Sequence, residues 1–303
     1  HQLRPESSAD AARAAELAGR LGVELVTGRA DVPALVRERS CSVEEAARIA
    51  RYTFLFAVAR QRGAQAVAVG HTADDQAETV LMHLIRGSGT SGLGGMRWRS
   101  LLEGWDAAIP LVRPLLDWPR EETEQYCAGR GLLPLQDPSN QDTTFFRNRL
   151  RHELLPLLKT YNPQIKAVLR RSADVFAADA ELLESLTDTA WAGCLLDESG
   201  RRVALSRQKL LELPPGLLRR VIRRGVCRLR PELRDIDFAA IDRAVEFILR
   251  PTQTHRMDLQ SRLGLALEND RLILAEWGDL AAPPDMPCLQ AGARLRLPLP
   301  GRV

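Results

Sequence analysis

The run from Val67 to Met96 constrains the fold more than any other part of the chain, because a strand pattern passes directly into a helix and then into a glycine-rich segment. Residues 66–69 are apolar and partly β-branched, which predicts a buried strand. Thr72 is typical of a helix N-cap and Gly87 of the residue after a helix, so a helix is predicted between them. A buried strand that leads into a helix is the repeating unit of a parallel α/β sheet.

Polar side chains are concentrated where this strand ends. His71 follows the strand, and Asp74, Asp75 and Glu78 fall in the first turns of the predicted helix. Asp75 and Glu78 are three residues apart, so their carboxylates share one helical face. Acids are common at helix starts because they favour the positive end of the helix dipole. Their combination with a His, an Arg and a glycine-rich segment, at the strand end where open α/β sheets bind ligands, nevertheless predicts a ligand site.

The flanking segments extend the alternation of strands and helices. Residues 7–21 are Ala-rich and periodic, which predicts a helix, and residues 23–27 predict a short strand. Ser42 and Glu45 form a capping-box pattern that opens a helix running to about residue 62. Two more helices are predicted, over 119–131 and 143–158. The first half of the chain is therefore predicted to be an α/β domain with a parallel sheet.

The second half changes to a mostly helical pattern. A long amphipathic stretch covers 164–196, and shorter helices are predicted over 206–212, 216–229 and 235–250. Three short strands follow at 255–259, 263–268 and 271–274. We therefore expect three parts: an α/β domain over 1–158, a mainly helical domain over 159–280, and a Pro-rich linker with the start of a further domain over 281–303.

An arginine-rich helix stands out in the second domain. Residues 217–234 carry seven arginines and one glutamate. Helical spacing predicts one basic strip opposite one apolar strip; the basic strip is Arg219, Arg220, Arg223 and Arg224, and the apolar strip is Leu218, Val221, Ile222 and Val226. Such a strip is either a solvated helix face or a surface for the phosphates of a nucleic acid.

Composition excludes several classes of protein. The longest apolar runs are far shorter than the roughly 20 residues that span a membrane, so no membrane segment is predicted. The five cysteines are scattered without a Cys-x-x-Cys pair, at positions 41, 127, 194, 227 and 288. This pattern disfavours a zinc site or a disulfide framework and favours a reducing, cytoplasmic location. No metal ligand set is predicted.

The sequence GHTADDQAETVLMHLIRGSGTSGLGGM, at residues 70–96, resembles the signature of the tRNA(Ile)-lysidine synthetases, a branch of the PP-loop ATPases. Companion motifs follow in the order and spacing of that family. They are HQLRPES at 1–7, RPLL at 113–116, DPSN at 137–140 and FRNRLR at 146–151. The resemblance implies a Rossmann-like, parallel-sheet nucleotide-binding domain in the first half of the chain.

One part of the family pattern does not occur in the sequence. The family's Ser-Gly-Gly-x-Asp-Ser loop, which cradles the phosphates of ATP, follows its first strand and is not found in these residues. We therefore expect an N-terminally truncated chain that does not catalyse by itself.

The resemblance also implies a reaction and its substrates. Members of the family use ATP with Mg²⁺ to adenylate the C2 oxygen of the wobble cytidine in a tRNA(Ile) that carries a CAU anticodon. The amino group of free L-lysine then displaces AMP and gives lysidine. The implied partners are therefore this tRNA and lysine, and a homodimer is also expected.

Roles for individual residues follow from the same resemblance. Asp75 and Glu78 are expected to bind the lysine ammonium. His71 is expected to contact the reacting base or the adenylate, with Asp74 as a helper or metal neighbour. Two groups are expected to bind ATP or tRNA: Arg86, Gly87, Ser88 and Gly89 near the glycine-rich segment, and Arg113, Arg147, Asn148 and Arg151 further along. The strip of Arg219, Arg220, Arg223 and Arg224 is expected to contact the tRNA backbone.

Two alternatives stay open. The chain could belong to another PP-loop enzyme that modifies tRNA, such as a tRNA thiolase, although such enzymes rely on paired cysteines. It could also be a tRNA-binding module without catalysis.

Overall fold

A computed structural model describes residues 7–132, 138–231, 233, 236–250 and 255–280. The companion motifs at 1–7 and 137–140 thus lie partly outside the described residues, and the linker predicted over 281–303 lies wholly outside them. The chain divides into two compact units, one over residues 1–180 and the other over 181–303.

The first unit contains a small sheet and most of the helices. Its elements up to the middle of the unit are α1 (Ser7–Leu21), α2 (Val32–Arg39), α3 (Val43–Gln61), β1 (Val67–Ala68), α4 (Ala73–Ile85), α5 (Thr90–Leu93), β2 (Arg99–Leu102), β3 (Asp106–Val112) and α6 (Arg120–Gly129). They are followed by a 3₁₀ turn (Pro138–Gln141), α7 (Phe146–Arg149), a π turn (Leu150–Leu154), α8 (Leu155–Tyr161) and α9 (Ile165–Cys194). The boundary between the two units falls within α9.

The sheet of the first unit has the order β1-β3-β2. β1 and β3 are parallel, with Val67 opposite Leu111, and β2 is antiparallel to β3. α3 contributes Tyr52 and Phe56 to the core that covers these strands. The mixed α/β content and the parallel pair agree with the predicted fold class, and they bring the end of β1 directly to the start of α4.

The predicted strand at residues 23–27 is wrong. These residues pair with no strand among those the structure describes, and Val23 is 58% exposed. An apolar, β-branched run forms a strand only when a neighbouring strand supplies hydrogen-bond partners. The sequence shows that this run is apolar, but it does not show whether such a neighbour is present.

The helix predicted over 143–158 is interrupted by a π turn. Pro156 has no N–H, and its ring clashes with the carbonyl four residues earlier, which prevents a regular α-helical turn. The chain instead widens at Leu150–Leu154, where the N–H of Leu155 donates to the carbonyl of Leu150. Of the two site arginines described below, Arg147 precedes this turn and Arg151 lies within it.

The second unit combines helices with an antiparallel sheet. Its strands have the order β4-β5-β8-β7-β6, with β4 at Leu195–Ser199, β5 at Arg202–Ser206, β6 at Arg256–Asp258, β7 at Leu263–Glu268 and β8 at Arg271–Glu276. Its short helices are α10 (Arg207–Leu211), α11 (Pro215–Leu229) and α12 (Phe238–Leu249). The three predicted strands are confirmed, whereas β4 and β5 were not predicted because β4 directly continues the pattern of the long helix α9.

Candidate active site

The site begins where β1 turns into α4. The N–H of Val69 donates to the carbonyl of Val112, which continues the pairing of β1 with β3 beyond the strand. Thr72 is the N-cap of α4, as predicted. The Asp75 carboxylate accepts hydrogen bonds from the Thr72 N–H at 2.8 Å and from its hydroxyl at 2.9 Å. These bonds satisfy donors at the helix start and hold Asp75 against the strand end.

Two arginines from a distant part of the chain bind the acids of α4. Glu78 is only 1% exposed, and its Oε1 accepts from Arg151 Nε at 2.6 Å. Its Oε2 accepts from Arg147 Nε at 2.8 Å and from Arg151 Nη2 at 2.9 Å. Asp75 Oδ1 lies 3.0 Å from Arg147 Nη2 and 3.6 Å from Arg151 Nη2. The pKa of Arg151 is raised, because Glu78 accepts its hydrogen bonds.

In this cluster the Glu78 carboxylate is not free to bind a lysine ammonium. Both oxygens of Glu78 are already engaged by guanidinium groups. A lysine ammonium could bind Glu78 only by displacing an arginine, whereas Asp75 lines the adjacent cleft. The geometry therefore assigns Glu78 to holding Arg147 and Arg151, and its role in lysine binding stays a prediction.

Asp74 is held apart from this cluster. Its Oδ2 accepts from the N–H of Arg120 at 2.7 Å, and its Oδ1 accepts from the ammonium of Lys166. Burial alone would raise the pKa of Asp74, but these two hydrogen bonds and the charge of Lys166 outweigh burial and lower it. Asp74 is therefore an ionised carboxylate that joins the start of α4 to the starts of α6 and α9.

His71 is the titratable group between these acids and the sheet. Its Nδ1 is buried and makes no hydrogen bond within the described residues. Burial lowers the pKa of His71; Asp75 opposes this effect, and the charges of Arg113, Arg147 and Arg48 add to it. His71 is therefore a neutral imidazole at pH 7, with a nitrogen that can accept a proton or a hydrogen bond.

His71 and the cluster open into a cleft of about 460 Å³. The cleft is lined by Arg51, Tyr52, Val69, Gly70, His71, Asp75, Arg120, Asn140, Arg147, Asn148 and Arg151. Among the described residues no acid pairs with the side chain of Arg51 or Arg120. The residues that line the cleft thus include two arginines available for an anion, in addition to Arg147 and Arg151, whose charges are neutralised by Asp75 and Glu78.

Arg51, Tyr52 and Arg120 were not predicted as site residues. Arg51 and Tyr52 lie in the middle of α3, and Arg120 opens α6. Because helix periodicity explains Tyr52 as a core residue and Arg51 as a surface residue, neither position differs from an ordinary amphipathic helix in the sequence. What places α3 at the site is its packing on the strand that leads to His71, which only the structure shows.

Asn148 lies on the cleft, whereas Arg113 does not. Asn148 lines the cleft, and its Nδ2 donates to the carbonyl of Asp142. Arg113 is buried at 5% exposure, and its Nη1 donates to the carbonyl of Arg97 and to Ser100 Oγ. It is therefore a buried cation behind the cleft, not a group on its lining.

Arg86 lies at the far end of α4. It is exposed, and its guanidinium carbon is 5.7 Å from the centre of the Phe146 ring. Since α4 has 13 residues, this end is about 20 Å from the helix start. Gly87, Ser88 and Gly89 follow directly, so the structure does not bring this predicted group into the cleft with His71.

The predicted arginine strip of the second unit is formed on α11. The opposite strip, Leu218, Val221, Ile222 and Val226, is fully buried, as predicted. Arg219 pairs with Asp242 at 2.6 Å, Arg220 lies 3.8 Å from Glu184, and Arg224 binds both Glu184 and Asp188. Arg223 is exposed and has no acidic partner among the described residues. Three of the four arginines are thus bound by acids within their own unit.

Mg²⁺ has no prepared ligand set in this part of the chain. No group of three or more His, Cys, Asp or Glu side chains that could hold a metal occurs among the described residues. Asp74, Asp75 and Glu78 are occupied by cationic side chains or backbone donors. These acids do not fit an Mg²⁺ site in their present arrangement.

The helices in the described residues are too short or too polar to cross a membrane.

The geometry of the site and a match to a family model define the class of protein. The model of the PP-loop domain matches residues 1–158, which include β1, His71, Arg147 and Arg151. The chain therefore belongs to the PP-loop family. Proteins named tRNA(Ile)-lysidine synthase are similar to it over most of its length.

Three of these relatives illustrate the similarity. The protein from Dehalococcoides mccartyi (strain CBDB1) is 38% identical over 95% of this chain and 61% of its own length. The protein from Gloeobacter violaceus is 42% identical over 74% of this chain and 65% of its own, and that from Geobacter sulfurreducens is 37% identical over 87% and 55%. The chain spans 55% to 65% of the length of these relatives.

Proposed function

We propose that the protein acts in the ATP-dependent ligation of free lysine to the wobble cytidine of a tRNA(Ile) with a CAU anticodon. One observation carries this proposal: His71, whose pKa is lowered, lies in a cleft beside two arginines without an acidic partner among the described residues, at the strand end of a PP-loop domain. Such a cleft suits a ligand that brings both phosphate charge and a reacting group. The relatives, which are named tRNA(Ile)-lysidine synthases, support the same reaction.

The proposed chemistry has two steps. The C2 oxygen of cytidine attacks the α-phosphorus of ATP, an oxygen–phosphorus bond forms, and pyrophosphate leaves. The amino group of lysine then attacks C2, the carbon–oxygen bond breaks, and AMP leaves with that oxygen. A proton is lost from the attacking nitrogen. Mg²⁺ that arrives with ATP would neutralise phosphate charge.

The residues of the cleft have complementary roles in this scheme. We assign Arg51 and Arg120 to phosphoryl oxygens, because both residues line the cleft and their side chains have no acidic partner among the described residues. We assign His71 to the proton lost from the attacking nitrogen, because its imidazole is neutral. Arg147 and Arg151 fix the wall of the cleft through Glu78, and Asp75 is the acid that can approach the lysine ammonium.

The test is the incorporation of radiolabelled lysine into tRNA by the full-length protein that carries this sequence. We expect incorporation that requires ATP and releases AMP, with tRNA(Ile) bearing CAU as the acceptor. The same tRNA with its wobble cytidine replaced by uridine is the matched control and should stay unlabelled. Labelling by sulfur instead of lysine would favour a tRNA thiolase, and tRNA binding without either label would favour a non-catalytic module.

The second unit allows a separate test of tRNA binding. We propose that Arg223 contacts tRNA phosphate, because it is the exposed member of the α11 strip without an acidic partner among the described residues. Arg223→Ala should weaken tRNA binding and flatten its salt dependence by about one unit of slope, with little effect on stability. Filter binding at several salt concentrations measures both changes.

Arg224 provides the matched comparison on the same helix. It is 13% exposed and binds Glu184 and Asp188. Arg224→Ala should instead lower the free energy of unfolding by about 0–1 kcal/mol, since Asp188 loses this cation whereas Glu184 keeps Arg220, and both carboxylates are exposed. If both variants bind tRNA as the parent protein does, α11 is not a tRNA surface.

A further inference from the structure

The glycine-rich segment after α4 is clamped by side chains of that helix. Gln76 donates from Nε2 to the carbonyl of Met96 at 3.0 Å and accepts from the N–H of Met96 at 2.8 Å. His83 lies seven residues later on the same face, and its Nδ1 is 2.6 Å from the carbonyl of Gly92. The side-chain amide of Gln76 thus makes two hydrogen bonds to the Met96 backbone, as a residue of a neighbouring strand would.

Packing leaves little freedom at the point where Gln76 binds. Gly95 has φ of +65°, and a Cβ atom there would lie 2.8 Å from the amide nitrogen of Gln76. A Cβ atom on Gly94 would lie 3.1 Å from the Cα of Ala177. The glycines therefore allow the backbone to press against both helices, so this end of the segment has a fixed position despite its composition.

The fixed backbone continues directly to the buried cation behind the cleft. Met96 precedes Arg97, whose carbonyl accepts from Arg113 Nη1 at 2.6 Å. The N–H of Arg113 donates to the carbonyl of Trp98 at 2.9 Å. Arg113 Nε makes no hydrogen bond within the described residues, and no acid there binds its guanidinium. Its position therefore depends on the backbone that Gln76 holds.

We infer that Gln76 is a positioning residue: by pairing with Met96 it sets the Arg97 carbonyl, which holds the Arg113 guanidinium behind His71. Arg113 then contributes positive potential to the cleft without lying on its lining. This inference rests on the proposed function, because it concerns the same cleft. Its tests measure the hydrogen exchange of backbone amides and the titration of His71. They therefore distinguish its failure from a failure of lysine ligation.

The first test is hydrogen–deuterium exchange on the whole chain. In Gln76→Ala the amides of residues 92–98 should exchange on the order of tenfold faster, because both bonds to Met96 are lost. Gln125→Ala is the control, since Gln125 is exposed on α6 and its side chain bonds, among the described residues, only to Glu121 at 3.4 Å. Gln76→Met keeps the side-chain volume and gives the same comparison if the alanine variant does not fold.

The second test follows the titration of His71 by NMR with ¹⁵N-labelled histidine, assigned with a His71→Gln variant. The charged groups that face His71 are Asp75, Arg113, Arg147 and Arg48. Release of Arg113 should raise the pKa of His71 towards its ordinary value in Gln76→Met, and the Gln125→Ala control should not change it. Unchanged exchange, or faster exchange with an unchanged His71 titration, would overturn the inference.

Discussion

Glu78→Ala should lower the free energy of unfolding of the first unit by about 3–5 kcal/mol, because it removes the buried partner of two guanidinium groups. Three hydrogen bonds end on this carboxylate, and its side chain is almost inaccessible to water. Among the described acids, only Asp75 would remain within ion-pair distance of Arg147 and Arg151. The loss is therefore larger than that for a surface ion pair, which contributes about 0–1 kcal/mol.

Urea unfolding, followed by a probe in the first unit, measures this difference. Glu153→Ala is the control, because Glu153 is exposed and lies 4.0 Å from Arg149 in the same helix region. Replacing Glu78 together with Arg147 and Arg151 by apolar residues of similar size should recover much of the stability. Equal costs for Glu78→Ala and Glu153→Ala would contradict the structural role. In ligation assays, a rise in the lysine requirement beyond that for ATP would support the predicted lysine pocket.

His71→Ala should reduce the turnover of lysine ligation by about 10²- to 10⁴-fold, the usual contribution of a general acid or base. His255→Ala is the control, because His255 is exposed and directly precedes β6 in the second unit. Its substitution should leave turnover unchanged. A His71→Ala variant as active as the control would remove His71 from the reaction.

The pH dependence gives an independent check on His71. Because its pKa is lowered in the folded protein, the unfolded chain binds a proton at this position more readily. Folding stability from this group is thus fully present above the unfolded pKa of about 6.5 and is lost as the pH falls below that value. Turnover that depends on neutral His71 should likewise persist below pH 6.5. A decline centred at or above pH 6.5 would mean that the imidazole is not desolvated during the reaction.

The local part of the site could be predicted from the sequence, because its determinants are neighbours in the chain. Thr72 and Gly87 define the ends of α4 through capping preferences, and the three-residue spacing places Asp75 and Glu78 on one face. Pairing between those acids and Arg147 depends on helix packing across 69 residues of chain. No periodicity encodes that distance, so the sequence predicts acids that are free to bind an ammonium.

The same limit explains the arginine strip on α11. Its amphipathic spacing was correctly predicted, since burial of Leu218 and Val221 follows from helix geometry alone. The acids that bind Arg219 and Arg224 come from α12 and α9. A local pattern therefore predicts which face is polar, but only the tertiary structure reveals which cations are already neutralised.

The π turn before Pro156 has a consequence for how the site can change. Such a turn accommodates one residue more than an α-helical turn, so side chains before it are rotated by about 100° relative to those after it. Arg147 precedes the turn and faces Glu78, whereas Leu155 follows it and packs in the apolar cluster with Leu81. The direction of Arg147 and the position of α8 are thus set separately. Substitutions in one half can alter the charge of the cleft while the hydrophobic anchor of the other half keeps its register.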